Sequence, residues 1–242
     1  MKAMVLAAGV GARLRPLTAE RPKALIEIEG VAMLELVFRR LISAGVTEAI
    51  VNTFHLPEKI GEFLKAKRSF GIRVELSREN ELLDTGGGLK KAAWFFDDGK
   101  PFFVHNSDVF SAIDLQAMHR FHVQSGALAT LAVQARDSGR RLLFDEQGLL
   151  CGREAEGRRE LARPAAAFER LGFSGIHVIS PELISKMTEE GVFSINKTYL
   201  RLAAAGEKIQ AFRCDGSFWR DIGAPEKLEE ARRLAREQGL PG

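Results

Sequence analysis

The sequence of 242 residues carries 35 basic and 32 acidic residues, a formal net charge of +3, and 45% of its residues are hydrophobic. Such a chain is long enough to bury a core, and its balanced charge does not favour nucleic-acid binding. No apolar run reaches the roughly 18 residues of a membrane helix, and the N-terminus is not typical of a signal peptide. We therefore expect a cytoplasmic protein with no nucleic-acid or membrane partner. Cys151 and Cys214 are expected to be buried free thiols.

Short apolar segments alternate with amphipathic ones through the first third of the chain. Strands are predicted at 2–8, 49–52 and 73–76, and helices at 32–44 and 57–67. This alternation predicts a doubly wound α/β fold with a mostly parallel sheet. In such a sheet the ligand lies at the carboxyl ends of the strands.

The segment after the first strand combines small residues, two glycines and cations. Gly9 and Gly11 allow the backbone to approach a ligand and to point N–H groups at an anion. Arg13, Arg15 and Lys23 add positive charge nearby, so the segment suits a triphosphate. It is neither a Walker loop nor a complete dinucleotide fingerprint, because position 14 is Leu. Glycines alone would also fit an ordinary strand-to-helix turn.

A second glycine-rich segment follows the third predicted strand. Thr85, Gly86, Gly87 and Gly88 stand in front of a predicted helix. Three successive glycines favour the close approach of a flat or bulky ligand. A flexible turn has the same composition.

One later aspartate ends an apolar segment, and another precedes the last predicted helix. The strand predicted at 101–109 ends in Asn106, Ser107 and Asp108, and Asp221 precedes a closing helix that extends to about residue 238. Each acid alone could cap a helix or a turn. Two carboxylates from distant positions can also form an oxygen site for Mg²⁺.

The remaining segments are predicted from their composition. A strand is expected at 127–133 and a hairpin at 142–151, whereas the charged and then alanine-rich stretch 152–167 is expected to be a loop that acts as a lid or a dimer contact. His119 and His122 lie three residues apart on a helix predicted at 114–125. That spacing can bind metal, but no third ligand is evident, so we expect ordinary surface or interface histidines.

The ordered motifs resemble those of the sugar-1-phosphate nucleotidyltransferases, the pyrophosphorylases that make nucleotide sugars. The similar segments are Arg-Leu-x-Pro-Leu-Thr from Arg13, Pro-Lys-x-Leu from Pro22, the glycine-rich segment, Asn-Ser-Asp at 106–108, Phe-Ser-Gly-Ile at 173–176 and Trp-Arg-Asp-Ile-Gly at 219–223. The resemblance implies a Rossmann-like three-layer αβα sandwich with a mixed, mostly parallel central sheet and a small extra β region. It also implies one domain over 1–242, with a nucleotide-binding half (1–110) and a sugar-phosphate-binding half (111–242).

The resemblance implies a role for each motif. Asp108 and Asp221 would bind Mg²⁺ and, together with Arg13 and Lys23, would be the catalytic residues. The sugar would contact Asn106, Ser174 and Gly175. The residues implied to contact the nucleotide are Leu6, Ala7, Ala8, Gly9, Gly11, Arg13, Lys23, Glu79, Thr85, Gly86 and Gly87.

Three positions depart from the pattern of the family. Ala12 replaces a Thr and removes a hydroxyl, and Ser107 replaces the usual Gly before the metal-binding Asp. The Glu-Lys-Pro motif, whose lysine grips the sugar phosphate, is replaced by Phe168-Glu169-Arg170, and Arg163 or Arg170 could substitute for that lysine. This last departure argues against a standard glucose-1-phosphate thymidylyltransferase.

The implied reaction is Mg²⁺-dependent transfer of a nucleotidyl group from a nucleoside triphosphate to a sugar 1-phosphate, with release of pyrophosphate. Thr-Gly-Gly-Gly and Phe-Ser-Gly-Ile favour UTP and N-acetylmuramate 1-phosphate, with GTP and mannose 1-phosphate as the alternative. A monomer or a homodimer is expected. Two other classes stay open. One is a non-catalytic nucleotide-binding regulatory relative, and the other is a dehydrogenase, although Asn52 stands where a dehydrogenase would carry an acid.

Overall fold

The computed structural model describes residues 1–240, and strands and helices occur along the whole of this range. The strands are β1 (Lys2–Leu6), β2 (Glu27–Ile28), β3 (Val31–Ala32), β4 (Glu48–Thr53), β5 (Arg73–Arg78), β6 (Phe102–Asn106), β7 (Val109–Ser111), β8 (Ala129–Gln134), β9 (Arg140–Phe144), β10 (Leu150–Ala155), β11 (Arg158–Leu161), β12 (Glu169–Ile179), β13 (Ile209–Arg213) and β14 (Trp219–Asp221).

Four of the helices, at 33–43, 57–66, 115–125 and 225–238, lie close to predicted positions. The helices are α1 (Met33–Ser43), α2 (Pro57–Ala66), α3 (Asp84–Lys91), α4 (Leu115–Ser125), α5 (Glu182–Ser185), α6 (Ile195–Ala204) and α7 (Pro225–Gln238). With the mixed strand pairing described below, they confirm the predicted α/β class.

Two compact units are interleaved along the chain. The first contains Met1–Leu83, Val104–Leu115 and the C-terminal segment from Ser217, and the second contains Asp84–Phe103 and Gln116–Gly216. The predicted halves, 1–110 and 111–242, concern ligand binding and stay a prediction, and the last two residues lie outside the described part of the chain.

The first unit contains the predicted parallel sheet. β1 pairs with β4 in parallel, with Leu6 opposite Asn52, and β4 pairs in parallel with β5, with Asn52 opposite Ser77. The middle residues of β1 and β4 are fully buried. Near-continuous apolar segments are typical of parallel strands that are covered on both faces, and this is why both strands were predictable.

A smaller β region of the first unit brings distant segments together. β7 pairs with β14 in antiparallel fashion, with Val109 opposite Asp221, and β2 forms a hairpin with β3. Leu14, Phe110, Ile222 and Leu228 share one buried apolar cluster. This cluster fixes the segments that carry the candidate catalytic residues.

The second unit is mostly antiparallel. β12 pairs with both β8 and β9, β9 continues into β10 and β11, and β13 joins β8 in parallel. The hairpin predicted at 142–151 is confirmed by the pairing of β9 with β10.

The stretch 152–167 is not the loop that we predicted. Most of it forms the β10–β11 hairpin, in which Arg153 pairs with Glu160 and Arg159 with Glu154, each at 2.7 Å. Opposite charges that face each other across two strands support the pairing. A charged composition therefore indicated exposure here, and not the absence of secondary structure.

His122 is buried, which corrects the expectation of a surface or interface histidine. Its Nδ1 lies 2.9 Å from Thr130 Oγ1 and its Nε2 lies 3.0 Å from Ser180 Oγ. Burial, followed by the nearby His119, lowers the pKa of His122 to about 4, so the ring is neutral at pH 7. The two thiols are buried and free, as expected.

Candidate active site

The loop after β1 is open at its first glycine. Ala7 and Ala8 are buried, but a methyl group built on Gly9 would meet no heavy atom within 4 Å. Gly11 has φ +62°, a left-handed conformation that glycine adopts readily. Its carbonyl accepts hydrogen bonds from the Leu14 N–H and the Thr18 hydroxyl, both at 2.9 Å. The loop is therefore held from its C-terminal side and exposes Gly9.

Arg13 and Lys23 lie in two short 3₁₀ turns, Ala12–Leu14 and Lys23–Leu25. Leu14 and Ala24 are buried at 1% and 0% exposure, so each turn is fixed by an apolar neighbour of its cation. The side chain of Arg13 is exposed, whereas that of Lys23 is partly buried.

The two aspartates come together although they are far apart in the sequence. The Ile222 N–H donates a hydrogen bond of 3.0 Å to the Asp108 carbonyl, at the end of the β7–β14 pair. The Asp108 carboxylate pairs with the Lys23 ammonium. The Asp221 carboxylate accepts from Lys227 Nζ at 2.6 Å and from the Gly223 N–H at 3.0 Å.

Gly223 marks the point where these side chains converge. A methyl group built on it would lie 2.9 Å from Arg13 Nη2, 2.9 Å from Asp221 Oδ1 and 3.5 Å from Lys23 Nζ. The structure therefore places Arg13, Lys23, Asp108 and Asp221 in one cluster within the first unit.

The charge balance of the cluster keeps Asp221 ionised. Burial acts to raise its pKa, but the hydrogen bonds from Lys227 and the Gly223 N–H and the charges of Lys227 and Lys23 outweigh this effect and lower the pKa. The neighbouring His105 is buried, which lowers its pKa to about 4, and its Nδ1 lies 2.8 Å from the Asn106 carbonyl. At neutral pH the cluster offers carboxylates and no titrating histidine.

The donors present fit a hard divalent cation. Asp108 and Asp221 supply carboxylate oxygens, the ligands that Mg²⁺ prefers, and each of them pairs with a lysine. Among residues 1–240 no group of three or more His, Cys, Asp or Glu side chains could hold a metal. Further ligands would therefore come from water and from substrate phosphates, as is usual for Mg²⁺.

Replacing Gly223 by Ala is expected to lower kcat/KM by about 100-fold, because displacements of about 1 Å at a reacting centre have effects of that size. The new methyl group would displace Arg13 and Asp221, whose side-chain ends can move, so the fold should persist. Gly61→Ala is the matched control, since its methyl group would lie 3.5 Å from Leu76 Cδ1, an ordinary contact. Steady-state kinetics beside a thermal melt checks this, and unchanged kinetics for Gly223→Ala would contradict it.

The second glycine-rich segment does not form the predicted loop before a helix. Helix α3 begins at Asp84 and contains the three glycines, which are buried. The N–H groups of Gly86 and Gly87 donate to the Phe193 carbonyl at 2.9 and 3.2 Å, and Thr85 Oγ1 accepts from the Ile195 N–H at 3.0 Å. The close approach that the glycines permit is therefore made by residues 193–195, and nucleotide contacts of Thr85, Gly86 and Gly87 stay a prediction.

Replacing Gly86 by Ala is expected to destabilise the protein. Its methyl group would lie 2.3 Å from the Phe193 ring and 2.9 Å from the Phe193 carbonyl oxygen. Overpacking of this kind costs about 1–3 kcal/mol, against a gain of about 1 kcal/mol in helix propensity. The middle of these ranges leaves a net cost of about 1 kcal/mol, so we expect a Tm lowered by roughly 2–4 °C, whereas Gly61→Ala, within helix α2, should not lower Tm. Equal melting temperatures for Gly86→Ala and wild type would show that residues 193–195 move aside freely.

The residues predicted to contact the sugar lie in different units. Asn106 ends β6 in the first unit, and Ser174 and Gly175 lie in β12, where the register with β8 shifts between Phe173 and His177. Gly175 has φ +73°, so the chain needs a glycine at this bulge. Their contact with a sugar stays a prediction.

The two arginines considered for the sugar phosphate have partners in the second unit. Arg163 pairs with Asp145, and Arg170 pairs with Glu154 at 2.9 Å. Arg136, which sequence reasoning did not single out, donates a hydrogen bond of 2.6 Å to the Phe173 carbonyl.

Comparison with known proteins identifies the family. The profile of the family described as Nucleotidyl transferase matches residues 2–141. The N-acetylmuramate alpha-1-phosphate uridylyltransferase of Caulobacter vibrioides is 33% identical over 96% of this chain and 96% of its own. The probable mannose-1-phosphate guanylyltransferase 2 of Arabidopsis thaliana is also 33% identical, over 97% of this chain and 65% of its own.

Structural comparison agrees on the fold. A UDP-glucose pyrophosphorylase complexed with UDP-glucose superposes with a TM-score of 0.79 at 17% identity, over 98% of both chains. The inositol-1-phosphate CTP transferase of T. maritima gives 0.74 at 15% identity, over 99% of this chain and 97% of its own. The chain belongs to the nucleotidyl transferase family, and the predicted resemblance to sugar-1-phosphate nucleotidyltransferases is confirmed.

The chain spans about three fifths of the length of several guanylyltransferase relatives, for example 62% of the Dictyostelium discoideum beta subunit, to which it is 28% identical. In the described part of the chain, no helix has the length and apolar character needed to span a bilayer.

Proposed function

We propose that this protein transfers a nucleotidyl group from a nucleoside triphosphate to a sugar 1-phosphate and releases pyrophosphate. The observation that carries the proposal is the cluster of Arg13, Lys23, Asp108 and Asp221 around Gly223. Two acids and two cations beside a glycine loop match what the reaction needs, because both reactants are anions that must be neutralised and aligned.

The sugar-phosphate oxygen attacks the α-phosphorus in line, a new P–O bond forms, and the bond to pyrophosphate breaks. Arg13 and the loop N–H groups hold the departing pyrophosphate, and Lys23 stabilises charge at the α-phosphate. Asp108 and Asp221 would hold Mg²⁺, which supplies charge neutralisation on the phosphates when bound. The nucleophile is already an anion, so no general base is needed, and the buried His105, whose pKa is lowered to about 4, would be only a weak base.

The reaction requires Lys23 to exchange partners. Its ammonium pairs with the Asp108 carboxylate. We propose that cation and triphosphate binding releases Lys23 from Asp108 and lets it face the phosphates.

We propose UTP and N-acetylmuramate 1-phosphate as the substrates, with GTP and mannose 1-phosphate as the alternative pair. Support comes from the Thr-Gly-Gly-Gly and Phe-Ser-Gly-Ile segments and from the Caulobacter relative, which aligns over 96% of both chains. The Arabidopsis relative has the same identity, 33%, so identity alone does not favour either base.

The test is a screen of pyrophosphate release from four nucleoside triphosphates against a panel of sugar 1-phosphates with Mg²⁺. We expect the highest kcat/KM for UTP with N-acetylmuramate 1-phosphate. A maximum for GTP with mannose 1-phosphate would select the alternative. Triphosphate binding without turnover on any sugar would favour a regulatory relative.

A further inference from the structure

Three hydrogen bonds link the carboxyl ends of β1, β4 and β5. The Ala7 N–H donates to Asn52 Oδ1 at 2.8 Å, Asn52 Nδ2 donates to Glu79 Oε1 at 2.7 Å, and the Leu83 N–H donates to Glu79 Oε2 at 3.1 Å. Asn52 and Glu79 are only 2% and 7% exposed. We call this chain of hydrogen bonds the Asn52–Glu79 tie.

The direction of each bond in the tie is fixed. The Ala7 N–H can only donate, so the amide oxygen of Asn52 must face it and the NH₂ group must face Glu79. Glu79 then receives one donor on each carboxylate oxygen. A buried carboxylate is costly unless it is hydrogen-bonded, and these two donors offset that cost.

The position of the tie matters more than its energy. Ala7 is the first residue after β1 and starts the loop that exposes Gly9. Thr18 holds the loop at its C-terminal side through the Gly11 carbonyl, and Asn52 holds it at its N-terminal side. The Ala7 N–H is therefore engaged by the protein, and the loop is anchored at both ends.

We propose that Asn52 and Glu79 are positioning residues that hold the start of the loop after β1 and the 79–83 segment in place for the transfer reaction. This proposal rests on the proposed function. It assigns Glu79 to loop positioning and not to reading the base, because both of its carboxylate oxygens already have donors from the protein.

The tie allows a test by reversal of its polarity. In Glu79→Gln alone, an NH₂ group must face either the Asn52 NH₂ group or the Leu83 N–H, so one contact becomes donor against donor. In Asn52→Asp alone, two carboxylates face each other. In the double variant Asn52→Asp/Glu79→Gln, the new amide donates to the new carboxylate and accepts from Leu83, so all three hydrogen bonds can form again.

We expect kcat/KM to fall by about 10- to 100-fold in each single variant, the size that one unsatisfied buried contact produces. The double variant should recover to within about threefold of wild type, a coupling that only interacting residues show. Glu75→Gln is the control, because it removes the same charge from β5 at a side chain that is 41% exposed and pairs with Arg73.

Base preference separates positioning from base reading. The ratio of kcat/KM between the best and second-best triphosphate should stay constant in all variants if the tie only positions the loop. A changed ratio in Glu79→Gln, or a double variant no better than the worse single variant, would overturn the proposal. So would single variants that lower Tm but keep wild-type kinetics at 25 °C.

Measuring triphosphate affinity tests the role of the Asn52–Glu79 tie even if the protein does not catalyse the proposed transfer. If wild type turns over none of the substrate pairs, UTP and GTP affinities measured by calorimetry replace the kinetics. Weakened binding in the single variants and recovery in the double variant would then support the tie alone. Equal binding in all variants, or no binding by wild type, would reject it.

Discussion

Replacing Asp108 by Asn will reduce kcat by about 1000-fold or more while the protein remains folded. Asn has the same shape but no charge, so a divalent cation would lose one of two anionic ligands, which is worth several kcal/mol of transition-state stabilisation. Lys23 would also lose the carboxylate with which it pairs. The Asp108 side chain is 25% exposed, and a pair this close to solvent contributes only about 1 kcal/mol to stability.

The measurement for Asp108→Asn combines kcat, metal affinity by calorimetry and a thermal melt. Asp137→Asn is the matched control, because Asp137 also pairs with a cation, Arg141, but is 99% exposed and belongs to the second unit, whereas the cluster belongs to the first. The control should keep wild-type activity. If Asp108→Asn retained a tenth of the wild-type kcat, Asp108 would not belong to the reacting centre.

Asp108 could be found from the sequence pattern, because it ends an apolar strand and strand ends carry ligand-binding groups, whereas Asp221 is identified from the Trp-Arg-Asp-Ile-Gly motif of the family. Their proximity could not be derived from local patterns. It depends on the pairing of β7 with β14, two three-residue strands separated by more than 100 residues. Strands this short give almost no periodic signal, so only the resemblance to a known family brought the two acids together.

Gly223, Lys227 and Asn52 are the residues of the site that sequence reasoning missed. Gly223 lies inside a motif of the family. That a side chain would not fit at this position follows only from the positions of Arg13 and Asp221. Lys227 lies six residues after Asp221 and resembles any exposed helix lysine in sequence. In the sequence, Asn52 indicates only that the acid of a dehydrogenase is missing, and its proposed role depends on the parallel register of three strands.

Helix α3 shows why the low helix propensity of glycine gave a wrong prediction at the second glycine-rich segment. Each glycine disfavours a helix by about 1 kcal/mol relative to Ala, so three in succession predicted a loop. The helix forms because the Phe193 carbonyl accepts two N–H groups of its first turn, which would otherwise lack partners. A tertiary contact more than 100 residues away therefore overrides the local preference.

Replacing Lys23 by Ala should change two measured quantities in opposite directions: kcat should fall and Mg²⁺ affinity should rise. We expect kcat to fall by about 100- to 1000-fold, as when one preorganised donor to a developing charge is removed. We also expect tighter binding of Mg²⁺ to the free protein, because the Lys23 ammonium and a divalent cation compete for the Asp108 carboxylate. Kinetics and calorimetry without nucleotide measure the two effects separately.

Two variants make the Lys23 prediction specific. Lys23→Arg keeps the charge and should keep Mg²⁺ affinity near wild type. We expect its kcat to stay low, because the planar guanidinium does not replace an ammonium at the phosphates. Lys227→Ala frees Asp221 from its 2.6 Å partner and should also tighten Mg²⁺ binding. We expect a smaller loss of kcat, because Lys227 pairs with Asp221 and is not proposed to contact the phosphates. Weaker Mg²⁺ binding in Lys23→Ala would mean that the lysine supports the metal site, and the exchange of partners proposed for Lys23 would then be wrong.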